Sequence, residues 1–487
     1  MSLKQKTISA LSWSACERFS QQGIQFIITI ILARLLAPAE FGLIGMLTIF
    51  IALAQSFVNS GFGQALIQKQ DATYVDECSI FYFNIVVGFL AAGALYLAGP
   101  WIAAFYAQPL LAPLTQALSL NLIFNAFGLI QTTLLNKHID FKTLFKVGLG
   151  ATLASGMIGV SMAYLGYGVW SLVAQSLSRT LLNTVLLWLL TSWRPALVLS
   201  FASLKQMFGF GSRLLFSGIL DTIFVNIYLV VIGKLFSPTA LGYYTQAKNL
   251  QHLPVSNICA IVSRVTFPVF SGLQHDKPRF RQSLRKALTT LVLVVFPLMI
   301  GLGLLAEPLV SVVLGDHWLP SVPFVHLLCV IGAFWPLHVI NLNVLNALGR
   351  SDLFLRLEIL KKIMTVLSIS ITYRWGIEAM LWGQIATSFV GYYLNSYYTG
   401  KLLEYSIGDQ IKDLFPYLVA ALGMGGVVFG MSMMSENMLV VLSVGIVTGV
   451  VAYYIICKLF KLTAFEELDV VFKKKLGMCA HSGQTDQ

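Results

Sequence analysis

Long runs of apolar residues, separated by short polar or Pro- and Gly-containing stretches, follow one another along almost the whole chain. A run of about 20 apolar residues is long enough to cross the hydrocarbon core of a bilayer as an α-helix. These runs predict fourteen membrane-spanning helices. The predicted helices cover residues 8–33, 41–60, 79–105, 110–134, 147–166, 168–191, 206–235, 240–268, 287–313, 321–347, 357–374, 378–400, 413–434 and 437–459. We therefore expect an all-α integral membrane protein.

Composition supports this class. Of the 487 residues, 57% are hydrophobic and 11% are charged, whereas soluble domains carry about 25% charged residues. The six cysteines and seven histidines show no spacing typical of a disulfide framework or a metal site, so no cofactor and no metal are predicted. The basic start MSLKQK is not followed by a small-residue cleavage site, which predicts that the first helix is kept as an anchor.

The positions of the basic residues predict the orientation of the helices. Lys and Arg accumulate in the short cytoplasmic loops of membrane proteins. With the N-terminus inside, 24 of the 32 Lys and Arg residues fall in predicted cytoplasmic segments or at the adjoining ends of spans, and three fall at the opposite side. This placement predicts cytoplasmic N- and C-termini, and it explains the net charge of +11 by topology instead of nucleic-acid binding. The external segments are short turns, which leave no room for a folded catalytic domain.

Two stretches 200 residues apart are similar. LARLLAPAEFG at Leu32–Gly42 matches IGKLFSPTALG at Ile232–Gly242, and each stretch leaves the first helix of a half that holds six helices. A second pair is YGVWSLVAQ at Tyr167–Gln175 and WGIEAMLWGQ at Trp375–Gln384. Because six is even, the second half enters the membrane from the same side, so the repeat is parallel, with its axis along the membrane normal. The alternative is that Pro and Gly recur because tight turns need them.

The repeat divides the chain into four predicted regions. Residues 1–193 form an N-lobe of helices 1–6, residues 194–400 form a C-lobe of helices 7–12, and residues 401–460 form two further helices. Residues 461–487 form a cytoplasmic tail that is amphipathic and basic, in which FEELDVVFKKK predicts a short interfacial helix. Two related lobes of this kind place a substrate path between them.

Several predicted spans carry polar and charged side chains that share one face of the helix. In the first helix, polar residues spaced three or four positions apart share one stripe. They are Ser14, Arg18, Gln21, Gln25 and Thr29. An Arg or Lys at the centre of a helix costs about 2.5–3.5 kcal/mol on insertion scales, so such residues usually face a protein interior or a water-filled cavity. We therefore expect a wet, cationic cavity between the lobes, lined mainly by helices 1, 2, 7 and 8.

A cationic cavity is predicted to bind an anionic substrate, because Arg makes paired hydrogen bonds to phosphate and Lys offers a compact charge. Amides and hydroxyls on the same stripes suit a polyhydroxylated ligand. The candidate substrate-binding residues are Arg18, Gln21, Gln25, Arg213, Lys248, His252 and Arg264. Glu17 and Asp221 are candidates for an ion pair or for proton coupling.

Several of these charges also have a structural interpretation. Arg18 and Arg264 could extend to the cytoplasmic interface instead of the cavity. Arg179, in the sixth helix, is interpreted first as a structural partner. The basic run from Lys277 to Lys286 is interpreted as an orientation signal that contacts lipid headgroups.

Longer phrases in the chain resemble the polysaccharide transporter family, the Wzx-type flippases that include colanic-acid and O-antigen exporters. The resemblance covers almost all of residues 1–460. The most similar stretches are LARLLAPAEFGLIGM, NSGFGQALIQK, LLNKHIDFK, GYGVWSLVAQ, LGYYTQAKNLQHLP, RVTFPVFSGLQ, LGDHWLPSVP and NALGRSDLFLRLEILKK.

This resemblance implies a fold similar to that of the multidrug and toxic-compound extruders (MATE), with two six-helix lobes and two extra helices. It implies a transporter and not an enzyme, namely a flippase of the bacterial inner membrane. The implied substrate is an oligosaccharide repeat unit on undecaprenyl pyrophosphate, which alternating access moves to the periplasmic leaflet for exopolysaccharide, O-antigen or capsule synthesis. By position, Arg18 and Arg213 best match the cationic residues that meet the pyrophosphate in the wider superfamily, and Lys248 and Arg264 match less closely. Other polysaccharide-assembly proteins are candidate partners.

Three other functions fit parts of the sequence. A drug or cation exporter of the same fold should have an acid-rich cavity, and the excess of bases argues against it. A membrane-embedded glycan polymerase or ligase would usually need a sizeable external loop with reactive groups. A purely structural scaffold leaves the charged residues inside the spans unexplained.

Overall fold

The computed structural model describes residues 3–59, 61–69 and 71–475, apart from the side chains of residues 3–12, 14–19, 210, 213–214 and 471–475. This part of the chain is helical and contains no strand. Short helical turns lie at Val310–Leu314, Asp316–Ser321 and Tyr373–Trp375. The α-helices are α1 (Leu3–Leu35), α2 (Pro38–Asn59), α3 (Phe62–Gln68), α4 (Tyr74–Tyr106), α5 (Leu111–Lys137), α6 (Phe141–Tyr164), α7 (Val169–Leu190), α8 (Phe201–Leu235), α9 (Pro238–Gly272), α10 (Lys277–Leu304), α11 (Ala306–Leu309), α12 (Val322–Ala347), α13 (Ser351–Thr372), α14 (Ile377–Leu403), α15 (Ile407–Ser432), α16 (Met438–Leu459) and α17 (Thr463–Lys475).

The predicted helices are confirmed. Each of the fourteen predicted spans coincides with one long helix, and the ends agree within ten residues. Ten helical segments of the described chain are long and apolar enough to cross a bilayer. The protein is thus an all-α, multi-pass membrane protein, while the number of fourteen crossings stays a prediction. A short helix is present near the C-terminus as α17, where the interfacial helix is predicted, while its position at the membrane interface stays a prediction.

The largest difference from the predicted bounds lies at the start of α10. The apolar run predicts a start at residue 287, but the helix begins at Lys277. Asp276 caps it by accepting a hydrogen bond from the backbone N–H of Arg279 at 3.1 Å. Pro278 lies in the first turn, where its missing N–H is not needed. The basic run from Lys277 to Lys286 therefore lies on a helix and not in a loop.

The helices form two compact units, residues 1–245 and 246–487. In the first unit α1 packs on α6, α4 on α5, α7 on α5 and α6, and α2 on α8. In the second unit α10 packs on α12 and α15, α12 on α14, and α15 on α16. α9 begins in the first unit and continues in the second. The lobe boundary between residues 193 and 194 stays a prediction.

Candidate functional site

The two similar stretches at 32–42 and 232–242 have the same local structure. α1 ends at Leu35 and α2 begins at Pro38; 200 residues later, α8 ends at Leu235 and α9 begins at Pro238. Proline favours the first position of a helix because its ring holds φ near about −65° and its missing N–H is not needed there. The similarity in sequence therefore corresponds to a similarity in backbone structure.

These two helix starts pack against each other, each through a glycine. A Cβ placed on Gly42 would lie 1.7 Å from the carbonyl oxygen of Pro238, and one placed on Gly242 would lie 1.9 Å from the carbonyl oxygen of Pro38. Both distances are far inside van der Waals contact, so only glycine permits the backbones to approach this closely. The contact is reciprocal, because each stretch supplies one glycine and one proline carbonyl. We call these four residues the glycine crossing.

The contact between α2 and α9 continues beyond the glycine crossing. One turn later on each helix, a Cβ on Gly45 would lie 3.1 Å from Thr245 Oγ1. Further along α2, the hydroxyls of Ser56 and Thr222 are 3.2 Å apart and link α2 to α8. Small and hydroxyl side chains thus line this side of α2, as is common where membrane helices pack closely.

Two glutamines of the polar stripe of α1, Gln21 and Gln25, contact neighbouring helices of the first unit. Gln25 Oε1 accepts a hydrogen bond from Arg179 Nη1 of α7 at 2.9 Å. Gln21 lies over Gly148 of α6, where a Cβ would come within 1.9 Å of its Nε2 atom. Both glutamines are half-buried. The hydrogen bond confirms the interpretation of Arg179 as a structural partner, while sugar binding by the two glutamines stays a prediction.

Arg179→Ala is expected to lower the midpoint of thermal unfolding of the detergent-purified protein by about 2–5 °C. A hydrogen bond from a charged donor contributes about 1.5–3 kcal/mol, and Gln25 Oε1 would lose this donor. Tryptophan fluorescence during heating measures the effect. Arg374→Ala, which removes an exposed arginine between α13 and α14, is the matched control. Equal midpoints for the two variants would contradict a stabilising role of the hydrogen bond.

In the second unit, Lys248 and His252 lie one turn apart on α9. Both side chains are half-buried. The imidazole of His252 packs on the indole of Trp335 from α12, with ring centroids 4.8 Å apart. Arg264, three turns further along α9, is exposed. One face of α9 therefore carries an amine and an imidazole beside an aromatic ring.

The other candidate residues are placed less completely. Asp221 is exposed on α8. The backbones of Glu17, Arg18 and Arg213 lie in α1 and α8, but their side chains lie outside the described residues. The glutamine candidates on α1 belong to the first compact unit and the three candidates on α9 to the second. Joint binding of one substrate by these residues stays a prediction.

A buried polar cluster in the second unit is missing from the sequence predictions. Gln410 of α15 is fully buried, and its Oε1 accepts a hydrogen bond from the Tyr392 hydroxyl at 3.1 Å. Its amide also pairs with Asn341 of α12 at 3.4 Å. One turn before Asn341, His338 Nδ1 lies 3.0 Å from the side-chain nitrogen of Asn395. The sequence signals for this cluster are the amides of Asn341 and Asn395 inside predicted spans and of Gln410 just before one, which the pattern of charged residues does not indicate.

Comparisons of sequence give a family and several relatives. The family model described as "Polysaccharide biosynthesis protein" matches residues 31–323. The chain is 28% identical to the teichuronic acid biosynthesis protein TuaB of Bacillus subtilis over 446 residues. This aligned region covers 90% of this chain and 91% of TuaB. It is 27% identical to the lipopolysaccharide biosynthesis protein WzxC of Escherichia coli, over 76% of each chain. It is 26% identical to the succinoglycan biosynthesis transport protein ExoT of Rhizobium meliloti, over 80% of this chain and 79% of ExoT.

Comparisons of structure give two kinds of transporter. The lipid II flippase MurJ, in an inward closed conformation, matches with a TM-score of 0.75 at 14% identity, over 92% of this chain and 98% of MurJ. An inward-facing multidrug resistance transporter of the MATE family matches with a TM-score of 0.59 at 14% identity, over 79% of this chain and 96% of that protein. At such identities the likeness concerns the fold alone, and it confirms the MATE-like fold that the sequence resemblance implies.

Proposed function

This chain belongs to the polysaccharide biosynthesis protein family, and from that premise we propose that it is a flippase for lipid-linked oligosaccharides. Its family and its relatives indicate a transporter and not an enzyme. The proposed substrate is an oligosaccharide repeat unit on undecaprenyl pyrophosphate. It moves from the cytoplasmic to the periplasmic leaflet of the bacterial inner membrane and supplies exopolysaccharide, O-antigen or capsule synthesis. Other proteins of polysaccharide assembly are the proposed partners.

The glycine crossing is the observation that carries this proposal. The predicted orientation puts the starts of α2 and α9 at the periplasmic ends of these helices. The crossing then closes the periplasmic side by direct backbone contact. The contact is so close that a Cβ on Gly42 or Gly242 would lie 1.7 Å or 1.9 Å from the opposing proline carbonyl oxygen. A transporter that alternates between two openings needs a contact that forms and breaks at the same place. A reciprocal contact between repeated elements suits this need, because it joins equivalent parts of the two halves.

The proposed path begins in the cytoplasmic leaflet. Arg18 and Arg213 hold the pyrophosphate, Lys248 adds positive charge, and the glutamines of α1 bind sugar hydroxyls. The lipid tail stays in the bilayer and passes through a gap between the lobes. An inside-negative potential favours outward movement of the anionic headgroup by about 2.3 kcal/mol per charge per 100 mV. Glu17 and Asp221 are the candidates for an ion pair or for proton coupling.

The proposal is tested with the purified full chain in lipid vesicles that contain undecaprenyl pyrophosphate carrying a fluorescently labelled oligosaccharide. A membrane-impermeant reductant bleaches label in the outer leaflet only. We expect label from the inner leaflet to become accessible with time in vesicles that contain the protein but not in protein-free vesicles. Mass spectrometry should find the lipid-linked sugar chemically unchanged.

The other outcomes of this experiment identify the rival functions. A longer glycan on the lipid would indicate a polymerase or ligase. Efflux of a cationic dye such as ethidium, without movement of the lipid-linked sugar, would indicate a MATE-type exporter. Either result would contradict the flippase.

A further inference from the structure

A polar pocket of about 710 Å³ lies at one end of the second unit, where α10 and α15 begin and where α16 meets α17. We call it the basic pocket. The charged residues that line it are Arg285, Lys286, Lys412, Lys461, Asp413 and Glu467. The predicted orientation puts this end of the helices at the cytoplasmic surface of the membrane.

Both acids of the basic pocket are already paired with bases. Asp413 Oδ1 lies 2.5 Å from Arg285 Nη2, and Glu467 Oε2 lies 2.6 Å from Lys286 Nζ. The second pair also ties α17 to α10. Lys412 and Lys461 line the pocket as well, and in the described part of the chain neither forms an ion pair. The pocket therefore keeps two positive charges that form no ion pair with its own carboxylates, Asp413 and Glu467.

Neighbouring groups hold the first of these pairs in place. Tyr405 donates a hydrogen bond from its hydroxyl to Asp413 Oδ2 at 2.7 Å. Burial, together with this hydrogen bond, raises the pKa of Tyr405, so the phenol stays a neutral donor. Asp409, one turn before Lys412, attracts it from a longer distance, but this carboxylate also lies 4.0 Å from Arg281 and does not line the pocket. Lys412 thus remains available to a ligand.

An apolar groove of about 700 Å³ runs along the same helices next to the basic pocket. On α10, Thr289 lines the pocket and Leu293, one turn later, lines the groove. On α17, Ala464 lines the pocket and the next residue, Phe465, lines the groove. A free anion would use only the pocket, whereas a lipid would use both spaces.

We propose that the basic pocket binds the phosphate of an anionic phospholipid, with an acyl chain in the apolar groove. Basic pockets between membrane helices on the cytoplasmic side bind anionic headgroups. Lys412 and Lys461 supply the charge, and the hydroxyls of Ser283 and Thr463 lie on the same lining. Such a lipid links α17 to the starts of α10 and α15. The lysines of this pocket are not among the candidate transport residues, so the proposal does not depend on the flippase activity.

Lipid binding is measured by native mass spectrometry of the full chain released from detergent, with dioleoylphosphatidylglycerol, dioleoylphosphatidylcholine and inorganic phosphate as separate probes. We expect phosphatidylglycerol to bind at least about fivefold better than phosphatidylcholine. The double variant Lys412→Gln/Lys461→Gln should bind at least about fivefold less phosphatidylglycerol than the wild type. Lys412→Arg/Lys461→Arg should bind as much as the wild type, because it keeps both charges. The control Lys401→Gln/Lys458→Gln removes the same charge from exposed positions outside the pocket and should bind as the wild type does.

Three results would overturn the proposal. The first is that the pocket variant Lys412→Gln/Lys461→Gln and the control Lys401→Gln/Lys458→Gln bind the same amount of phosphatidylglycerol. The second is that the wild type binds phosphatidylglycerol and phosphatidylcholine equally. The third is binding of inorganic phosphate without phosphatidylglycerol, which would assign the pocket to a free anion. Thermal unfolding of each variant checks its folding, and wild-type midpoints are expected because the substituted lysines are exposed.

Discussion

Gly42→Ala is expected to slow translocation of the lipid-linked oligosaccharide by at least about tenfold, since overpacking a close contact costs about 1–3 kcal/mol. The new Cβ would lie 1.7 Å from the carbonyl oxygen of Pro238, whereas non-bonded heavy atoms prefer separations of about 3.5 Å or more. Because the opposing atom belongs to the backbone, no side-chain rotation relieves the clash. The starts of α2 and α9 must move apart, which in the proposed mechanism prevents closure of the periplasmic side. The vesicle assay with fluorescent lipid-linked sugar measures the rate.

The reciprocal geometry supplies a second variant and matched controls. Gly242→Ala should slow translocation as strongly, because its Cβ would lie 1.9 Å from the carbonyl oxygen opposite. Gly93→Ala and Gly218→Ala also add a methyl group to a helix, but nothing lies within 4 Å of the added atom, so normal rates are expected.

Labelling tests whether the periplasmic side stays open. Thr245→Cys, one turn beyond Gly242, should react faster with a membrane-impermeant maleimide added outside when Gly42→Ala is also present. The parent chain with its native cysteines gives the background. If Gly42→Ala and Gly242→Ala both translocate the substrate and react with the maleimide at wild-type rates, the glycine crossing has no gating role.

Arg18→Ala and Arg213→Ala, made separately, are each expected to lower translocation by about tenfold to a hundredfold. A charge-assisted hydrogen bond contributes about 1.5–3 kcal/mol, and a bare methyl group leaves the pyrophosphate without that partner. Lysine at either position should retain part of the activity, because it keeps the charge and loses only the planar pair of donors. The rates are compared at equal amounts of protein in the vesicles.

The control for the arginine variants is Arg374→Ala, which removes an exposed arginine in the turn between α13 and α14 and should translocate normally. Normal translocation in all four variants at positions 18 and 213 would remove these arginines from the mechanism. The flippase would then have to bind its headgroup elsewhere, and Lys248 on α9 would be the next residue to change.

Much of the secondary structure could be predicted from the sequence because each helix depends on its own segment. An apolar run of about 20 residues in a bilayer satisfies its backbone hydrogen bonds only as a helix. The start of α2 at Pro38 and of α9 at Pro238 is equally local, since proline itself sets the first turn. The apolar run does not predict the start of α10, because most of the first ten residues of this helix are polar, although Asp276 and Pro278 are recognisable start signals.

The candidate site was less predictable, because the same polar stripe can face either water or another helix. The spacing of Gln21 and Gln25 indicates a polar face on α1. Whether that face meets water or another helix depends on what packs against it. In the structure, Gln25 meets Arg179 of α7, 154 residues later in the chain. The buried amides around Gln410 carry no charge, so the pattern of charged residues along the chain does not indicate them.

The helices, their apolar faces and the similar turns 200 residues apart follow from the local sequence, because they depend on interactions between near neighbours in the chain. The contact of Gly42 with Pro238 and the common pocket of Lys412 and Lys461 emerge only when the chain is folded. Such contacts depend on which helix faces pack together. That choice is made by the combined fit of many side chains from distant segments.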